Sequence, residues 1–142
     1  MTGQTAKIAS RCECGSMATR QVNQFILHEE LWWDSEFSCD ACGTYMCEHA
    51  GPGRAPDDVR EALLAAHGPV RLQLAGPIPS LVPALKVVRE VSAAPLPQAR
   101  ELVGELCRDG LVGTLSEMEF LKARLQLRGV HADVDRQIPR RD

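Results

Sequence analysis

The chain has no long hydrophobic run. Its apolar stretches fall well short of the ~18 residues a membrane-spanning helix needs, and the opening segment MTGQTAKIASRCECG lacks the apolar centre of a signal peptide. These absences lead to the expectation of a cytoplasmic protein with no membrane association. Disulfides are disfavoured in that compartment, so the six cysteines point to metal or redox chemistry before covalent staples. Catalytic signatures are also missing: there is no P-loop, G-x-G-x-x-G, G-x-S-x-G or H-E-x-x-H. Aromatic residues make up only 4% of the 142 positions, and five of the six lie at or before Tyr45. An excess of positive charge is lacking as well. The net charge is −3, with −5 on residues 1–67 and +2 on residues 68–142. Nucleic-acid modules concentrate Lys and Arg where they bind, and here the cysteine-rich half is the acidic one, which argues against a nucleic-acid finger.

What is present begins with paired cysteines. CECG supplies Cys12 and Cys14, and CDACG supplies Cys39 and Cys42, with 24 residues between Cys14 and Cys39. Zinc favours four tetrahedral ligands, thiolates among them. A glycine follows each pair, Gly15 and Gly43, and allows the tight turn that brings two sulfurs together. The spacer suits a β-hairpin: TRQVNQFIL and LWWDSEFS are rich in strand formers, with HEE near the turn. Two knuckles joined by a hairpin are zinc-ribbon-like. A Cys₄ site leaves no open coordination position, so the expected Zn²⁺ is structural and not catalytic. A segment of this size also needs a metal to fold. Cys47 and His49 follow closely. They either enter the metal site in place of an upstream cysteine, form a second partial site or redox pair, or stay outside it, with Cys47 packed under the ribbon and His49 starting a linker.

The rest reads as a ribbon over residues 1–50, a linker with a short helix over 51–68, an α+β domain over 69–136 and a tail over 137–142. HAGPGRAP is turn-rich, and PDDVREALLAAHG predicts a helix near 56–67 with Val59, Leu63 and Leu64 inward. VRLQL (70–74) alternates as a strand does. Ser80 can cap a helix to about Ala93 with Val82, Leu85, Val88 and Val91 on one face, Pro83 falling in its first turn. Pro97 opens a second helix to Arg108, burying Ala99, Leu102, Val103 and Leu106. LVGTL offers a short strand, Ser116 and Glu119 a capping box for a third helix ending at Gly129, and VHADVDR a last strand. The order β-α-α-β-α-β predicts three helices on a small sheet, and the whole chain is α+β.

Isolated candidates carry less chemistry. Cys107 suits a position near the end of a helix as a buried, inert thiol. His28 falls in the hairpin turn, His67 at a helix C-terminus and His131 in a short strand with no acid or nucleophile beside it. Trp32 and Trp33 point to opposite faces of a strand. A tryptophan exposed beside Glu29, Glu30, Asp34 and Glu36 would suit a basic partner; packing of both at the domain junction is the alternative.

LKVVREVSAAPLPQARELV (85–103) and LSEMEFLKARLQLRGVHADVD (115–135) resemble the C-terminal domain of the bacterial ribosomal stalk protein, from Val70 to about Asp135. The resemblance implies a non-enzymatic domain that recruits translational GTPases through a basic face on its first two helices. The matching positions are Lys86, Arg89 and Arg100, with Val82 and Leu85 as apolar contacts. Leu81, Glu90 and Pro97 depart from the family pattern. The expectation is therefore a zinc-binding adaptor or regulatory protein that recognises another protein through these helices, the acidic Trp32/Trp33 hairpin, or both. A translation-associated factor and a thiol/zinc redox sensor are the rival expectations. The partner and the oligomeric state are not specified by the sequence.

Overall fold

The computed structural model describes residues 3–136, in two compact units that divide after Gly68. The first contains β1 (Gly3–Arg11), β2 (Met17–Leu27), β3 (Glu30–Ser38) and β4 (Tyr45–Pro52), paired antiparallel in that order, then α1 (Asp57–His67). Side chains alternate across a sheet, and here one face carries the buried side chains, with Gln24 and Ser35 among the apolar ones. Ala6 of β1 and Val22 of β2 stand opposite each other on it and meet Ala55, Val59 and Leu63, with Ile8, Trp33 and Ala62 at the margin. The other face has no buried residue on any strand.

The expected hairpin is β2–β3. Its two turn residues, His28 and Glu29, both have left-handed backbones (φ 50° and 64°), as a type I′ turn requires. Two strands lie beyond that expectation. β1 pairs along the outer edge of β2, from Gly3↔Phe25 to Arg11↔Met17. β4 corrects the reading of residues 49–52 as linker: His49 stands opposite Ser35 inside a strand, and a bulge at Ser35/Glu36 absorbs Glu48. Residues 51–68 therefore carry the end of a strand and a helix packed on the sheet of the first unit.

The second unit has the expected order: β5 (Val70–Leu74), α2 (Val82–Ser92), α3 (Leu96–Arg108), β6 (Leu111–Gly113), α4 (Leu115–Leu127) and β7 (Ala132–Asp135). The sheet order is β6-β5-β7, antiparallel throughout. Leu72 on the central strand is fully buried among Val87, Val103, Leu106 and Leu125. Ser80 Oγ accepts the Val82 N–H at 3.2 Å, but Ser80 is not the expected cap: the helix is capped at Leu81, one residue later, with no side-chain cap bond. The buried face of α2 is Ala84, Val87 and Val88, about one position away from the predicted row, and Val82 is 54% exposed. The capping box lies two residues earlier than expected. Thr114 accepts the Glu117 N–H at 3.2 Å and Glu117 accepts the Thr114 N–H at 2.9 Å. Both registers satisfy the motif, but the earlier one sends Leu115 and Met118 into the core. The expected tail, residues 137–142, lies outside the described residues.

Candidate metal centre

Each cysteine pair occupies the turn of its own hairpin, one between β1 and β2 and the other between β3 and β4. In the first, the Cys12 N–H donates to the Ser16 carbonyl and the Gly15 N–H to the Cys12 carbonyl, both at 2.9 Å. In the second, the Cys39 N–H donates to the Thr44 carbonyl at 2.9 Å and the Gly43 N–H to the Cys39 carbonyl at 2.8 Å. Gly15 and Gly43 have φ of 93° and 76°, a conformation that side-chain-bearing residues rarely adopt. The shorter CxC spacing thus builds a knuckle closed in the same manner as CxxC, one residue tighter. Because β2 and β3 are adjacent and antiparallel, both turns fall at the same end of the sheet.

The consequence is a cluster. The sulfurs of Cys12, Cys14, Cys39 and Cys42 all lie within 4.8 Å of one another. Cys12 Sγ is 3.7 Å from Cys42 Sγ, and Cys14 Sγ is 3.7 Å from Cys39 Sγ. A tetrahedron with metal–sulfur bonds of about 2.3 Å has edges of about 3.8 Å. The donor set therefore fits one tetrahedral, thiophilic metal ion. Cys12 and Cys39 are buried against Ala18 with Phe37 at the margin, whereas Cys14 and Cys42 are exposed.

The thiols differ in proton affinity. At Cys12 the backbone N–H of Cys14 favours the thiolate, but burial and the surrounding thiols outweigh it and push the group up to about 12. Cys42 is pulled down to about 6, first by the hydroxyl and backbone of Thr44, whose Oγ1 lies 3.0 Å from its sulfur. Cys14 is lowered chiefly by the Ser16 backbone and then by the Cys12 and Cys39 thiols. A metal bound here replaces the proton held on Cys12. Thr44 and Ser16 were not singled out by sequence reasoning. Their one signal is position, immediately after the glycine of each knuckle.

The other candidates lie elsewhere, and Cys107 is exposed on α3, not buried as expected. Cys47 is exposed on β4, not packed under the ribbon, and sits 4.0 Å from the Tyr45 hydroxyl. Cys47 and, after it, Glu36 push that phenol up to about 12. His49 stacks on Trp33 with ring centroids 3.8 Å apart and planes 10° from parallel. Neither belongs to the thiol cluster. Trp33 packs on the helix-covered face, while Trp32 is half-buried on the opposite face and stacks on Phe25 at 6.4 Å. Arg20, also unremarked in the sequence, ties β2 to β4 and α1. Its guanidinium donates to Glu48 and Asp58, each at 2.9 Å, and to Ser35 Oγ at 3.3 Å.

In the second unit Lys86 and Arg89 are exposed and line an open depression of about 390 Å³ with Glu90, Ala93 and Ala94. Glu90 pairs with Arg128 at 2.7 Å. Arg100 is exposed on α3, and Leu85 packs partly against the core. Among the described residues no helix is long and apolar enough to cross a membrane. Compared with family models, curated proteins and solved structures, the chain matches none.

Proposed function

We propose that this protein is a non-enzymatic, zinc-binding adaptor in which a structural Zn²⁺ on Cys12, Cys14, Cys39 and Cys42 holds the first unit and other proteins dock on the surfaces of the fold. One observation supports the reading: four sulfurs lie within 4.8 Å of one another, two pairs of them at 3.7 Å, and a metal held by all four would have no open position for water or substrate. Zinc is favoured over harder cations because the donor set is all thiolate. Among the second unit's surfaces, exposed Leu81 and Val82 beside Lys86 and Arg89 suit an acidic, partly apolar partner. The resemblance to the stalk protein adds translational GTPases to the partners worth testing.

Two measurements test the proposal together. Metal analysis and sulfur-edge or zinc-edge absorption should give one zinc per chain with four sulfur neighbours, and affinity purification should recover a specific protein. Three sulfurs plus an oxygen, with turnover by the isolated protein, would sink it. Failure of Lys86→Glu/Arg89→Glu to lose the partner would move the contact off α2. A redox reading has its own observation: exposed Cys14 and Cys42 each lie 3.7 Å from a buried cysteine of the other knuckle. Mild peroxide would then release zinc and form cross-knuckle disulfides, recoverable by thiol reductant.

A further inference from the structure

The open face of the first unit's sheet is not a uniform polar surface. Alternation along β3 places Glu30, Trp32, Asp34 and Glu36 on that face, at steps of about 6.6 Å along the strand. Trp32 is half-buried and braced by the Phe25 ring across the strand pair. Asp34 is held by a cross-strand ladder in which the Thr5 hydroxyl donates to the Asn23 side chain and the Asn23 amide donates to the Asp34 carboxylate. Among the described residues none of Glu30, Asp34 and Glu36 is in an ion pair. The face's own cations, Lys7 and Arg11, stand two strands away on edge strand β1. Within the β2–β3 turn, Glu29 adds a further exposed negative charge.

We infer that this face binds a basic, arginine-bearing segment of a partner protein, with a guanidinium laid on Trp32 between Glu30 and Asp34. Arginine matches every element of the patch. Its plane stacks on an indole, and its fork of N–H groups donates to two carboxylates at once. An extended chain presents alternate side chains at the same spacing as the Glu30–Glu36 row, so a segment with basic residues at every second position meets successive acids. Nucleic acid is disfavoured by the same charges. The inference deepens the adaptor reading by naming a surface and a partner chemistry.

The test uses the full zinc-loaded chain and a fluorescently labelled peptide with alternating arginines, read by anisotropy at low and high salt. Binding should weaken about tenfold or more in Glu30→Gln/Asp34→Asn/Glu36→Gln, and likewise in Trp32→Ala. Glu101→Gln/Glu105→Gln, which removes two exposed acids from α3 of the second unit, should leave it unchanged. Circular dichroism and zinc stoichiometry identify any variant that fails to fold, and the triple variant changes only side chains on the open face. A lysine-for-arginine peptide should bind more weakly, because it loses the stacked plane.

No binding by the wild type, or equal binding by the triple variant, overturns the inference. So does self-association, seen as mass rising with concentration and abolished by the triple variant, because the occupant is then a second copy. Cellular partners captured through Lys86 and Arg89 while the peptide stays unbound would sink this surface and leave the adaptor reading standing. Peptide binding with no partner captured from cells would do the reverse.

Discussion

The two units are similar in length, and each builds an antiparallel sheet with helical cover, yet they are held by different forces. Among the described residues the second unit buries a cluster of fifteen hydrophobic residues, Leu72, Leu106, Leu121 and Leu125 among them, and three helices enclose it. In the first unit the helix-covered cluster is Ala6, Val22, Ala55, Val59 and Leu63, two of which are alanines. The remaining apolar cluster there, Cys12, Ala18 and Cys39, surrounds two of the thiols. Burial contributes roughly 25 cal/mol per Å² of apolar surface, so small side chains provide little. A four-strand sheet with one open face cannot rest on that alone. On the proposed reading, a metal held by the thiol cluster at its end would supply the missing stabilisation, and that cluster is confined to one unit.

The sharpest way to break the comparison is to remove the metal. Structural zinc contributes apparent binding energies of about 10–16 kcal/mol in small zinc folds, far more than a typical domain's net stability. Chelation at neutral pH, or Cys39→Ala, should therefore abolish the dispersed amide signals of residues 3–68 in an NMR spectrum. Those of residues 69–136 should persist. Loss of both sets together would show that the clasp supports more than its own unit.

The mirror-image experiment targets the other core. Leu72→Ala on the central strand should cost about 2–5 kcal/mol, the usual range for emptying a buried leucine site. Denaturant unfolding followed by amide exchange should place that loss in residues 69–136, with zinc stoichiometry unchanged. If Leu72→Ala released zinc, the division of labour between the units would be wrong.

How much of this was legible in the sequence follows the same divide. In the second unit helix periods and breakers are regular, so the element order and the buried Ala99, Val103 and Leu106 could be read directly. The errors there are shifts of one or two residues. Thr114 and Ser116 each begin a capping motif, and only packing of Leu115 selects between them. In the first unit the cysteines and glycines signalled the knuckles, but the outer strands gave weak signals. The inward residues of β1 include Ala6 and Ile8 with polar neighbours, a thin alternation. β4 carries Gly51 and Pro52 near its end, residues that suggest a linker, and it is held as a strand by pairing with β3. Arg20 gave no local signal, because its partners lie 28 and 38 positions away.

A smaller effect of opposite sign tests whether hairpin geometry limits the first unit. His28 and Glu29 adopt left-handed backbones that cost a side-chain-bearing residue about 1 kcal/mol or more each. Glu29→Gly should relieve one such cost and stabilise the zinc-loaded first unit by about 1 kcal/mol, read as a higher unfolding midpoint. The second unit's midpoint should not move. An unchanged or lower midpoint for the first unit would mean that glycine's added freedom in the unfolded chain offsets the relief.

The smallest expected effect concerns how each unit fastens its helices. In the second unit the attachment is mainly apolar, whereas α1 of the first is also tied through Arg20 to Asp58, and Arg20 in turn holds Glu48 of β4. Burial raises the Glu48 carboxyl, but Arg20 and Ser35 outweigh it and leave the group below its ordinary value. Asp58 is lowered first by its bond to Arg20. A carboxyl whose value is depressed on folding stabilises the fold above its unfolded value, and that contribution disappears as the pH falls through the folded one. Asp58 is more than half exposed, so screening holds the total to under about 1 kcal/mol. Carbon-13 titration of the carboxyl groups in zinc-loaded protein measures this without unfolding. Glu48 and Asp58 should titrate below free carboxyls, and Arg20→Met should raise both. Glu48 should rise further, because it loses its cation while keeping its burial. If Glu48 stayed low in that variant, the Ser35 hydroxyl, 2.8 Å away, would be its main support, and the tie between sheet and helix would rest on Asp58 alone.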